Sequence, residues 1–109
     1  MTGRGAQRKG RAGELELVKV LQEMGYHVHR ASLPYVDGET APDLDGLQGV
    51  HIEVKRCEGL RPTEWLYQAA ADARAGELPA VFFRQNRGTW KVLMNLPEWL
   101  KLYERGRET

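Results

Sequence analysis

The six residues Val50 to Lys55 constrain this chain more than any other stretch, because Val50, Ile52 and Val54 alternate with His51, Glu53 and Lys55. A period of two places successive side chains on opposite faces of a strand, with the aliphatic set turned toward a core. Glu53 and Lys55 therefore share a face. Just upstream, Gly46 and Gly49 bracket a tight reversal around Leu47 and Gln48, and a hairpin centred there sets Asp43 opposite Glu53 and Asp45 opposite His51. Carboxylates facing each other across a strand pair stand roughly 5 Å apart and repel unless a cation lies between them. A hard, oxygen-seeking ion such as Mg²⁺ answers that need, since one or two carboxylates hold it while water and phosphate fill the other positions. Read residue by residue, the same acids are also ordinary turn and surface groups.

The remaining elements follow from periodicity and punctuation. Leu17, Val18, Leu21 and Met24 recur at helical spacing, which predicts a first helix from Arg11 to Met24 with Gly25 as its stop. Glu14 falls on the inward stripe of that helix, either as a first-turn acid favoured by the helix dipole or as part of a site. Tyr26 to Ala31 reads as a short strand, with His27 and His29 on one face as surface histidines. Residues Ser32 to Ala41 lack periodicity and contain Pro34 and Gly38, so a loop is expected there. Pro62 opens a helix through Trp65, Leu66, Ala69 and Ala73 that stops by Gly76. Gln68 is an exposed helical residue there or a polar group reaching a site. Ala80 to Arg84 and Thr89 to Met94 are strands joined by a turn at Asn86 to Gly88, and Pro97 opens a last helix. The sum is a mixed central sheet flanked by helices.

With 109 residues the chain builds one domain. One cysteine, Cys57, excludes a disulfide framework and a multi-cysteine zinc site. No apolar run is long enough to span a membrane and no secretory core opens the chain, so a cytoplasmic location is expected. Net charge is +1, yet Arg4, Arg8, Lys9 and Arg11 all precede the first acid, with Gly3, Gly5 and Gly10 among them. Residues 1–10 are expected as a flexible basic arm, either tracking phosphates or serving as a solubilising tail, ahead of a single domain over residues 11–109. Arg56 extends the basic end of the strand.

Pro42-Asp43, nine intervening residues, then Glu53-Val54-Lys55 resembles the motif of the PD-(D/E)XK nuclease superfamily. With Arg8-Lys9-Gly10-Arg11, Glu14 and Gln68, the pattern is most similar to the archaeal-type Holliday junction resolvases, which also occur in viruses of bacteria. The resemblance covers about Arg8 to Met94. It implies an α/β fold with an αβββαβ, restriction-endonuclease-like core, here carrying an added strand and a C-terminal helix. It further implies a Mg²⁺-dependent endonuclease, with Mn²⁺ as a substitute and no small-molecule cofactor, that cuts opposed strands of a four-way junction in branched DNA as a homodimer. By the same resemblance Glu14, Asp43 and Glu53 hold the metal with the backbone carbonyl of Val54, while Lys55 and Gln68 complete the catalytic set. Arg4, Arg8, Lys9, Arg11, Arg30, Ser32 and Arg56 would meet DNA, Ser32 lying in a loop longer than the family pattern. Such a chain would act in the cytoplasm, that of a host cell if it is viral. Two alternatives share the core: a restriction- or repair-type nuclease acting on duplex or flap DNA, and a non-catalytic nucleic-acid-binding module.

Overall fold

A computed structural model of the chain describes the backbone of residues 3–31, 35–36 and 39–108, and the side chains of residues 10–31 and 41–108. The elements in order are α1 (Gly3–Glu23), β1 (His29–Arg30), β2 (Tyr35–Val36), β3 (Glu39–Thr40), β4 (Leu44–Asp45), β5 (Val50–Arg56), α2 (Pro62–Asp72), β6 (Leu78–Arg84), β7 (Lys91–Leu93) and α3 (Leu96–Arg107). Five strands form one sheet in the order β1-β4-β5-β6-β7, and β2 and β3 pair separately. Among the described strands β5 and β6 form the one parallel pair, and α2 supplies the crossover that such a pair needs. The mixed sheet and its helices have the αβββαβ order expected from sequence.

Leu44 pairs with Ile52, the register that the glycine-bounded reversal implied, so Asp43 approaches β5 at the level of Glu53. The glycine at the turn is obligatory in form: Gly46 has φ 126°, and a Cβ there would stand 2.5 Å from the His27 carbonyl oxygen.

β5 is buried on both faces rather than one. Leu17 of α1 packs on Leu44, Ile52 and Val54 on one side, whereas Trp65 and Ala69 of α2 pack on Val81 on the other. His51 and Glu53 point into this second layer and are 0% and 7% exposed. The polar half of the alternation thus marks a covered face, because the α2 crossover roofs it. On the first face α1 comes so close that a Cβ on Gly13 would lie 2.6 Å from the Cβ of Arg56.

Three element limits also differ from the sequence expectation. α1 begins at Gly3 instead of Arg11, since Arg, Gln, Ala and Lys propagate a helix without any apolar stripe to betray it. The arm expected over residues 1–10 is therefore helical in backbone from Gly3 onward. The segment expected as a plain loop holds the β2–β3 hairpin, two residues per strand. β1 is shorter than Tyr26 to Ala31, and Tyr26 and His27 are exposed ahead of it. α3 buries no residue; its Trp99 and Tyr103 stack on each other with centroids 5.6 Å apart.

Candidate active site

Asp43 is fixed by its own backbone before its side chain does anything. Its carbonyl accepts from the Ala31 amide at 3.1 Å and its amide donates to the Ile52 carbonyl at 2.8 Å, which ties it to β1's end and to β5. The carboxylate then turns onto β5, where Oδ2 accepts the Val54 amide at 2.7 Å. Burial, the neighbouring Glu53 charge and the more distant Glu14 charge push the Asp43 carboxyl up to about 7, against the opposing pull of the Val54 amide. The two carboxyls share a hydrogen bond in this half-desolvated corner, and each opposes full ionisation of the other.

Glu53 is anchored from the other side. Its Oε1 lies 2.7 Å from His51 Nε2, and His51 Nδ1 lies 3.7 Å from Glu77 Oε1. Burial works to lower the His51 pKa, but the Glu53 hydrogen bond and charge, followed by the Glu77 and Asp72 charges, outweigh it and hold the imidazole above its ordinary value. The sequence pattern assigns neither His51 nor Glu77 to a site. The alternation did place His51 on Glu53's face; nothing in the linear chain brings Glu77 to it.

Glu14, expected as a third metal ligand, reaches the corner electrostatically but is turned to Arg30, whose Nε donates to its Oε1 at 2.8 Å. Arg30, expected to face DNA, is thus engaged by an acid. Lys55 follows Glu53 on the same face of β5 by the pleat and is half-buried, with no ion pair among the described residues. Gln68 is exposed on α2 and makes no hydrogen bond to the acids among the described residues. Arg56, another expected DNA contact, points to α1's side and is enclosed by Glu16, Glu58 and Asn86, with Nη2 donating to Asn86 Oδ1 at 2.8 Å. Arg84 and Trp90 join this network by donating to Glu16. Arg11 is exposed on α1. Ser32 and the side chains of Arg4, Arg8 and Lys9 lie outside the described residues.

Among the described residues no three His, Cys, Asp or Glu side chains cluster tightly enough to hold a metal by themselves. The convergence is of two carboxylates, because Arg30 draws the third aside. Two still suit a hard divalent ion: both are oxygen donors, Asp43 Oδ2 is engaged by the Val54 amide and Glu53 Oε1 by the His51 imidazole, and a hydrogen bond between the two carboxyls brings them together. Their mutual repulsion is what such an ion would relieve.

No family model and no curated protein matches the sequence. Among solved structures, the chain is similar to the 1.6 Å structure of a Holliday junction resolvase from the archaeal hyperthermophile Archaeoglobus fulgidus. The TM-score is 0.59 over 78% of this chain and 76% of that one, at 23% sequence identity. The fold is that of an archaeal Holliday junction resolvase. In this fold Asp43 directly precedes β4 and Glu53 lies within β5, next to the Leu44–Ile52 pair. None of the helices described is long and apolar enough to cross a membrane.

Proposed function

We propose that the chain is a divalent-metal-dependent endonuclease that hydrolyses phosphodiesters in branched DNA, four-way junctions foremost, as a homodimer with one site per protomer. The meeting of Asp43 with Glu53 in the fold shared with the Archaeoglobus fulgidus resolvase carries this reading. Asp43, Glu53 and the Val54 carbonyl would hold Mg²⁺, with Mn²⁺ as a substitute. A divalent ion supplies Lewis acidity toward a phosphate oxygen and lowers the pKa of a bound water.

The chain's own groups do the rest. Asp43 and Glu53 supply the carboxylate oxygens. Lys55, two residues beyond Glu53 on its face, places an ammonium where it stabilises charge developing on the phosphate or orients the attacking water. Glu14 adds negative potential to the corner while Arg30 keeps it in place. Gln68 offers a polar group at the exposed side of α2, and the basic residues of α1's first turns, Arg4, Arg8, Lys9 and Arg11, supply salt-sensitive phosphate affinity. Leu96, Trp99, Leu100 and Tyr103, all exposed on α3, give an apolar surface for a second copy.

One gel tests the proposal: a labelled four-way junction, a matched duplex and a flap, each incubated with Mg²⁺ and with chelator. Paired cuts in the junction that vanish with chelator are expected. Preferential cutting of duplex or flap would move the substrate to a restriction- or repair-type class. Binding without cleavage of any arm would leave a nucleic-acid-binding module.

A further inference from the structure

His51 is a wholly buried ionisable side chain that the chemistry above does not use. It precedes Glu53 by two residues on β5, so the pleat alone sets its ring beside that carboxylate. Nε2 stands 2.7 Å from Glu53 Oε1; an ionised carboxylate only accepts, so the imidazole donates. The opposite ring nitrogen, Nδ1, has no hydrogen-bond partner among the described residues and faces Glu77 Oε1 at 3.7 Å. Glu77 is itself held, its Oε1 accepting the Arg74 amide at 2.9 Å.

The surrounding layer gives a reason to look for a purpose. Trp65, Ala69 and Val81 form the apolar part of the layer under α2, and a leucine in place of His51 would carry no polar group to desolvate. What a leucine cannot do is fix one oxygen of Glu53. Asp43 is tied in the same manner, with Oδ2 engaged by the Val54 amide.

We propose that His51 is a positioning residue for Glu53: it holds Oε1 so that Oε2 is the oxygen offered beside Asp43 to a divalent cation, and Glu77 orients the ring. The inference rests on the nuclease reading and adds to it a support that acts through Glu53 without touching the substrate. Partners of this kind alter metal affinity by about 10- to 100-fold when removed.

The test measures Mn²⁺ binding to the full chain without DNA, by calorimetry, alongside the metal dependence of junction cleavage. His51→Leu is expected to weaken Mn²⁺ binding about 10- to 100-fold. The metal concentration for half-maximal cleavage should rise in proportion, with the rate at saturating metal within a few-fold of wild type. His51→Gln, which keeps a donor near the Nε2 position, should restore most of the affinity, and Glu77→Gln should lose a smaller part of it. A folded His51→Leu chain that binds Mn²⁺ as tightly as wild type, while Asp43→Asn does not bind, overturns the positioning role and leaves the nuclease reading standing. His51→Gln no better than His51→Leu also overturns it, since the loss would then follow the ring's volume. Should His51→Leu fail to fold in a thermal melt, Glu77→Gln decides, and unchanged affinity there counts against the role. A wild-type chain that binds no Mn²⁺ removes the nuclease reading and this inference together.

Discussion

The Val54 amide donates to Asp43 Oδ2 at 2.7 Å, so the backbone of β5 orients the acid that directly precedes β4. That bond favours the ionised carboxylate, yet burial and Glu53 overcome it and leave the Asp43 carboxyl near 7 instead of 3.8. A folded-state value raised above the unfolded one gives stability that is complete below about pH 4 and lost as pH rises to about 7. The metal-free protein should therefore melt at lower temperature at pH 8 than at pH 5. Asp43→Asn keeps an oxygen for the Val54 amide and removes the charge, so it should stabilise the metal-free chain at pH 8 by about 1–3 kcal/mol while abolishing cleavage. Thermal melts in chelator at both pH values check this. An Asp43→Asn melting temperature at or below wild type at pH 8 would contradict the strained-carboxylate account.

Glu53 and Lys55 share a face of β5 and are assigned different tasks. Glu53→Gln keeps an acceptor for His51 but halves the charge of the pair, and Lys55→Ala removes the ammonium while sparing both acids. Each should reduce junction cleavage by about 100-fold or more with junction binding within a few-fold of wild type. The two are separated by Mn²⁺ calorimetry, where Glu53→Gln should lose affinity and Lys55→Ala should not. Lys55→Ala cutting at the normal rate would remove Lys55 from the chemistry.

The basic residues ahead of Gly10 are assigned affinity rather than chemistry. Deleting residues Met1 to Lys9 removes Arg4, Arg8 and Lys9, and each lost phosphate contact should flatten the plot of log affinity against log salt by about 0.9. Junction binding measured across a salt series reads that slope. An unchanged slope and affinity would show that these side chains make no phosphate contact.

Much of this arrangement is legible in the chain because it is local. Two glycines and an alternating strand suffice for the Leu44–Ile52 register, and with it the approach of Asp43 to Glu53. What the sequence hides is what other elements do to that hairpin. α2 covers the His51 and Glu53 face, which alternation alone assigns to solvent, and it does so through the parallel β5–β6 pairing. Glu14 is readable as an inward acid, but its capture by Arg30 depends on where β1 meets α1, sixteen residues on. The β2–β3 hairpin and the early start of α1 lack the apolar spacing on which periodicity relies.

Gly46 and Gly25 separate backbone strain from steric clash at the turn on which the carboxylate pair depends. Both have positive φ, 126° and 98°, so a side chain at either position meets the left-handed penalty, about 1 kcal/mol. Their surroundings differ. A Cβ at Gly25 meets nothing within 4 Å, whereas one at Gly46 would lie 2.5 Å from the His27 carbonyl oxygen and 2.7 Å from the Val28 Cα, both backbone atoms with no rotamer to yield. Gly46→Ala should thus cost about 2–4 kcal/mol and Gly25→Ala about 1 kcal/mol in urea denaturation. Because Gly46 directly follows β4, forcing the turn away from His27 should also shift Asp43 along β5. Gly46→Ala should accordingly weaken Mn²⁺ binding even where the protein remains folded, and Gly25→Ala should leave it unchanged. Equal destabilisation by the two alanines would mean that the contact with His27 and Val28 does not govern the turn.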